Sequence, residues 1–176
     1  MKRMVVLVGV VGFVCAATVA VQAQEAQPGA DLKKLDVWNG DWAFETQVKD
    51  SPSAAEKTVK GTWEQRRMGD HFYVWNGKWT APDGKEMTDL AIAGWDPVKK
   101  AYFSEGFASD GGKGTGVVTF SDKSITIDST SLAATGEKTR TRCTFGLSEQ
   151  EFAGTCETLT DGKWWVSRTE KDVRVK

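Results

Sequence analysis

Punctuation constrains this chain more than any other feature. Turn-forming clusters recur at short intervals: Asn39-Gly40-Asp41, Lys49 to Glu56, Met68-Gly69-Asp70, Pro82-Asp83-Gly84, Asp96-Pro97, Asp110 to Gly114, Ser121-Asp122-Lys123, Ala134 to Gly136, Leu147 to Gln150 and Asp161-Gly162. The segments between them are apolar or Thr-rich, which implies about ten short strands. Only one helical pattern precedes them, a turn through Leu32, Leu35 and Trp38 that Asp31 is placed to cap. Short strands at this spacing form an antiparallel sandwich or an up-and-down barrel, and consecutive hairpins throughout favour the barrel. The expected fold is therefore all-β, an antiparallel barrel of about 8–10 strands with a short N-terminal helical turn.

The first 23 residues read as separate from that fold. Lys2 and Arg3 precede an almost wholly apolar stretch from Met4 to Val21, and Val21-Gln22-Ala23 puts small residues at the −3 and −1 positions of a cleavage site. Residues 1–23 are thus expected to be a cleaved signal peptide, 24–31 a flexible segment and 32–176 a single barrel domain. An N-terminal membrane anchor is the alternative, but no basic stop-transfer flank follows the apolar stretch. A lipid anchor on Cys15 would need a Leu followed by small residues before it, and Gly12-Phe13-Val14 stands there instead. The expected location is periplasmic or secreted, with no membrane contact after cleavage.

Export makes the cysteines readable, because Cys143 and Cys156 remain as an even pair in an oxidising compartment. If Glu149-Gln150 form a two-residue turn between two strands, Phe145 faces Gly154 and Cys143 faces Cys156. Opposed residues lie within disulfide range, so the pair is expected to be bridged. The same register puts Phe145, Leu147 and Phe152 on the cysteine face, with Arg142 opposite Glu157 on the other.

Alternation gives a provisional interior: Trp42, Phe44 and Val48; then Val59, Gly61, Trp63 and Gln65; later Ile125 and Ile127. The middle of the chain is apolar on both faces, with Phe72 and Val74 against Tyr73, Trp75 and Trp79, then Leu90 and Ile92 against Ala91, Ala93 and Trp95. A ligand inside, the helical turn at one end, or a second copy of the chain outside, as a homodimer, would cover the extra surface.

Gly40-Asp41-Trp42 after a helical turn, with Arg174 late in the chain, resembles the calycin signature of lipocalins and fatty-acid-binding proteins. That resemblance implies that Trp42 packs against Arg174 at the closed end of the barrel, with Arg168 as the second choice. The order of Leu35, Gly40-Asp41-Trp42, the Gly69 turn, Gly94-Trp95-Asp96, Lys100-Ala101-Tyr102, the Gly-rich loop after Ser109-Asp110 and the Asp161-Gly162 turn is similar to the exported bacterial DUF1579 family, a domain of unknown function. The similarity runs from about Leu32 to Arg174 and departs from the family at Asp96-Pro97 and at the cysteine pair. It implies a lipocalin-like fold and brings no catalytic residues.

Val37-Trp38-Asn39-Gly40-Asp41-Trp42 and Val74-Trp75-Asn76-Gly77-Lys78-Trp79 echo each other, but no third copy makes a repeat array. The echo reads as one packing motif used twice rather than a sugar-binding aromatic pair. Pro82-Asp83-Gly84 is preferred over Asn76-Gly77 as the true hairpin turn.

The chain carries a formal charge of −1 and a single His. The charge is too balanced for a nucleic-acid-binding stripe, and one imidazole leaves little material for a metal cluster or a His-based triad. No catalytic residue, metal or cofactor is expected. His71 is the alternative, as a haem ligand of the calycin-like kind. Gly111-Gly112-Lys113-Gly114-Thr115-Gly116 reads as a mobile hairpin loop rather than a phosphate cradle, since no helix follows it. The leading expectation is a barrel that binds a small apolar or aromatic molecule, lined by Trp63, Gln65, Tyr73, Trp75 and Trp95. A structural or interaction barrel filled by its own Trp side chains is the rival.

Overall fold

The computed structural model describes residues 31–175. The expected signal peptide, Cys15 and nearly all of the flexible segment lie outside them. Ten strands follow one another in chain order: β1 Gly40–Val48, β2 Lys57–Met68, β3 Phe72–Thr80, β4 Glu86–Asp96, β5 Ala101–Ala108, β6 Lys113–Phe120, β7 Ser124–Leu132, β8 Lys138–Gly146, β9 Glu151–Thr160 and β10 Lys163–Arg174. Each pairs antiparallel with the next, and β10 returns to β1, so the sheet closes into an up-and-down barrel. Closure leaves no unpaired strand edge.

The helical turn Lys33–Trp38 lies ahead of β1, and its buried Leu35 and Trp38, with Leu32, join Tyr73, Ile125, Phe145 and Phe152 in the core. It covers the barrel end formed by the turns after β2, β4, β6 and β8. Asp31 does not cap it. The N-cap position is Leu32, with no side-chain cap bond, and Asp31 instead forms an ion pair 3.6 Å from Lys34.

The hairpin register around the cysteines is as expected: Phe145 pairs with Gly154 and Cys143 with Cys156, whose sulfurs are bonded across a Cα–Cα distance of 4.0 Å. The loop is longer than a two-residue turn, since β8 ends at Gly146 and the Leu147 N–H donates to the Lys123 carbonyl of the neighbouring turn, 2.9 Å away. The β3–β4 turn falls after Thr80, at Pro82-Asp83-Gly84, and Asn76-Gly77 lies within β3. Two readings are corrected. Gly40 and Asp41 already belong to β1, and the Gly-rich run is mostly strand. Gly114 and Gly116 sit in β6, where a side chain on Gly116 would meet Ser104 Oγ at 2.9 Å and the Asp128 carbonyl at 3.0 Å. These glycines let β5, β6 and β7 approach closely.

Candidate functional site: the barrel interior

The closed end is built on Trp42, which is fully buried and stacks on Trp63 at 5.1 Å with their planes 12° apart. Its indole N–H donates to the Trp38 carbonyl at 2.8 Å, tying β1 to the helical turn. Arg174 pairs with Trp42 in register and holds its guanidinium 4.5 Å from the indole centroid. The same guanidinium donates to the carbonyls of Val37 (2.5 Å), Asn39 (2.8 Å) and Glu149 (2.9 Å). Two of these lie at the C-terminal end of the helical turn, where a cation is favoured. Gly40 is required beside it: its φ is +143°, and a Cβ there would stand 2.5 Å from Arg174 Nη1. Arg174, rather than Arg168, therefore meets Trp42.

Beyond that end the interior opens into a cavity of ≈ 330 Å³. Trp38 and Phe152 contribute to its floor, Phe44, Trp63, Trp75 and Trp79 to its walls, and Asp89, Arg168 and Glu170 line it as well. The polar side has one origin. In β10 the inward positions Arg168, Glu170 and Asp172 are all charged, while Val166 and Val173 point outward and are about half exposed, at 47% and 48%. Glu170 Oε2 lies 3.3 Å from Arg168 Nε. Asp172 is fully buried and accepts the Trp63 indole N–H at 2.7 Å. Burial first, and the Glu170 charge second, push the Asp172 carboxyl up to about 8, against the opposing pull of Trp63 and Arg168. Burial likewise raises Asp89, whose carboxylate occupies the space that a side chain on Gly77 would need.

Buried polar atoms without a hydrogen-bond partner cluster here. Among the described residues they are Trp38 Nε1, Thr46 Oγ1, Asp89 Oδ1, Arg168 Nε and Asp172 Oδ1. The first four belong to side chains that line the cavity, and Asp172 stands directly behind Trp63.

The sequence matches the family described as a protein of unknown function, DUF1579, over residues 27–174. The chain belongs to this family. Among solved structures, that of Rv2717c from M. tuberculosis is similar in fold, with a TM-score of 0.64 at 14% identity over 84% of this chain and 98% of that one. A redesigned β-barrel, mFAP1, bound to DFHBI, gives a TM-score of 0.47 at 15% identity over 80% of this chain and 98% of that one. No curated protein matches the sequence.

In this DUF1579 barrel the five residues expected to line a ligand site divide. Trp63, Gln65 and Trp75 border the cavity. Gln65 is also committed to the closed end, donating to the Leu35 carbonyl at 2.9 Å. Tyr73 and Trp95 lie elsewhere. The Tyr73 hydroxyl donates to Asp36 of the helical turn, and burial raises its pKa first. Trp95 packs edge-on against Tyr102, 4.8 Å between ring centroids, near the β4–β5 turn. His71 is in the exposed turn between β2 and β3, beside Phe72, and does not line the cavity. The interior thus presents no imidazole to a haem iron. The sequence reading missed Trp79, Asp89, Arg168, Glu170 and Asp172. The signal for the last three was their period-2 spacing in β10, which reads equally well as a solvated face.

Proposed function

We propose that this DUF1579 protein is an exported, periplasmic barrel that binds one small, largely apolar or aromatic molecule carrying a hydrogen-bonding or basic group. The observation that carries this reading is the coincidence of an aromatic-walled cavity with the unpartnered buried polar atoms around it. Binding pockets pair apolar walls with a few convergent polar groups and typically hold roughly 300–1,000 Å³, a range whose lower end this cavity meets. Indole faces suit an aromatic ring or a cation, and Asp89 with Glu170 provides acceptors for a donor group on the same ligand. Export is supported by Lys2 and Arg3 ahead of the apolar stretch and by the bridged cysteine pair.

Titration with phenylnaphthylamine, an apolar fluorescent amine, tests the reading. Saturable binding at one site per chain, with quenching of tryptophan emission, is the expected result. No saturable binding, together with a large loss of stability in Trp75→Ala, would instead establish a barrel packed with its own side chains.

A further inference from the structure

The disulfide faces the cavity asymmetrically. Cys143 lines the chamber and is partly exposed, whereas Cys156 is 3% exposed. Arg168 reaches across both, with Nη2 3.0 Å from Cys156 Sγ and 3.8 Å from Cys143 Sγ. A bonded sulfur is a weak acceptor. The buried Arg168 Nε has no hydrogen-bond partner and lies 3.3 Å from Glu170 Oε2, while 41% of the side chain is exposed. A thiolate at Cys156 would give the same guanidinium a charged acceptor.

We propose that Cys143–Cys156 is a thiol–disulfide exchange site, served through the cavity by small thiols, with Cys143 as the attacked sulfur and Cys156 as the leaving group under Arg168. The thiolate of an entering thiol forms a bond to Cys143 Sγ. The Cys143–Cys156 bond breaks, and its electron pair stays on Cys156 as a thiolate beside the guanidinium. A second small thiolate attacks the entering sulfur and releases Cys143, which takes up a proton. The two thiols are oxidised to one disulfide and the protein is reduced to the dithiol.

Exchange is faster when the leaving thiol has a low pKa, so the cation belongs beside the sulfur that departs, and it is nearer Cys156. The other ionisable groups facing this point are Glu170, Asp89 and Asp172. Burial raises both of the latter carboxyls, Asp172 up to about 8, so below that pH Asp172 adds little negative charge opposite a thiolate. The proposal uses the same cavity as the ligand reading but needs no other ligand, and the two are measured separately.

The experiment follows reduction of the oxidised, signal-cleaved protein by cysteamine and by glutathione, with thiols trapped by iodoacetamide and counted by mass. Each rate is divided by the rate for the same protein unfolded in urea, which removes the thiols' intrinsic difference. Expected is a native-to-unfolded ratio about tenfold higher for cysteamine than for the bulkier glutathione, and about tenfold slower native exchange in Arg168→Gln, with recovery in Arg168→Lys. In the single variants, Cys156→Ser should form a mixed disulfide with oxidised cysteamine, while Cys143→Ser should resist it. Equal ratios for the two thiols, or an Arg168→Gln rate equal to the parent's, would overturn the proposal. Faster labelling of Cys143→Ser than of Cys156→Ser would overturn the assignment of attacked and leaving sulfurs. If Arg168→Gln fails to fold, the thiol-size ratio and the cysteine variants still decide.

Discussion

The two halves of the barrel interior treat polar groups in opposite ways. At the closed end Trp42 bonds the Trp38 carbonyl, Gln65 the Leu35 carbonyl, Tyr73 the Asp36 carboxylate, and Arg174 three carbonyls at once, while Trp38 Nε1, on the side chain that floors the cavity, has no partner. Around the cavity, Thr46, Asp89, Arg168 and Asp172 each hold a buried atom with none. A satisfied network rigidifies a fold, while an unsatisfied buried group costs about 1–3 kcal/mol. The closed end therefore stabilises the barrel, and the polar groups of the cavity half are free to bond water or a ligand inside it. That division teaches where function resides, and each substitution below tests it from one side or the other.

Trp42→Ala should have the largest effect. It removes a fully buried indole together with its stack on Trp63 and the Arg174 cation–π contact. Truncating a buried Trp costs about 3–5 kcal/mol, which denaturant unfolding would read as a matching loss. A change below about 1 kcal/mol would mean that the closed end does not hold the fold.

Asp172→Asn addresses the cavity half and should act in the opposite direction. An ordinary Asp titrates near 3.8, and folding raises Asp172 to about 8. Between those values the folded protein holds a proton that the unfolded chain has lost, so stability falls as pH rises from about 4 to about 8 and stays low above. Asparagine keeps an oxygen for the Trp63 N–H and carries no charge. The variant should match the parent near pH 4 and exceed it by about a few kcal/mol at pH 8. Parallel stability–pH curves for the two proteins would refute a buried, proton-holding carboxyl.

Arg174→Ala should cost about 2 kcal/mol, through the indole contact and the hydrogen bonds to the helical turn. Phenylnaphthylamine affinity should be unchanged, because Arg174 lies on the far side of Trp42 from the cavity. Weakened binding at unchanged stability would join the two regions that the geometry separates.

Which parts were legible in the sequence follows the same division. Turn residues announced the strands, and a two-residue count across Glu149-Gln150 placed Cys143 opposite Cys156 even though the actual loop is longer, since Leu147 bonds to a neighbouring turn. Gly40, Trp42 and Arg174 were readable because close packing leaves a fixed mark: a glycine where an arginine must pass. The cavity left no such mark. Alternation finds interiors by their apolar residues, and β10 inverts the rule, pointing Arg168, Glu170 and Asp172 inward and Val166 and Val173 outward. A charged strand face looks the same in sequence whether water or a cavity lies against it. Tyr73 and Trp95 were drawn into the ligand set for the converse reason: an inward aromatic side chain does not reveal at which depth of the barrel it lies.

Trp79 offers the smallest effect on stability and the sharpest separation of the two regions. It lines the cavity one residue from the end of β3, at the mouth opposite the helical turn, and is only partly buried. On β2 it pairs with Gly61, which offers no side chain, so Met87 on β4 is its one cross-strand side-chain neighbour. Trp79→Ala should therefore change unfolding free energy by less than about 1 kcal/mol, well below the roughly 3–5 kcal/mol of a fully buried Trp. Its indole face is nonetheless part of the wall that a ligand entering from the mouth must pass, so phenylnaphthylamine affinity should fall about five- to tenfold, the equivalent of one lost aromatic contact. Trp63→Ala is the necessary contrast. That indole lines the cavity, stacks on Trp42 and bonds Asp172, so its loss should weaken binding and stability together. If Trp79→Ala destabilises the barrel as much as Trp63→Ala does, the mouth is part of the core and the separation between a holding end and a binding half fails.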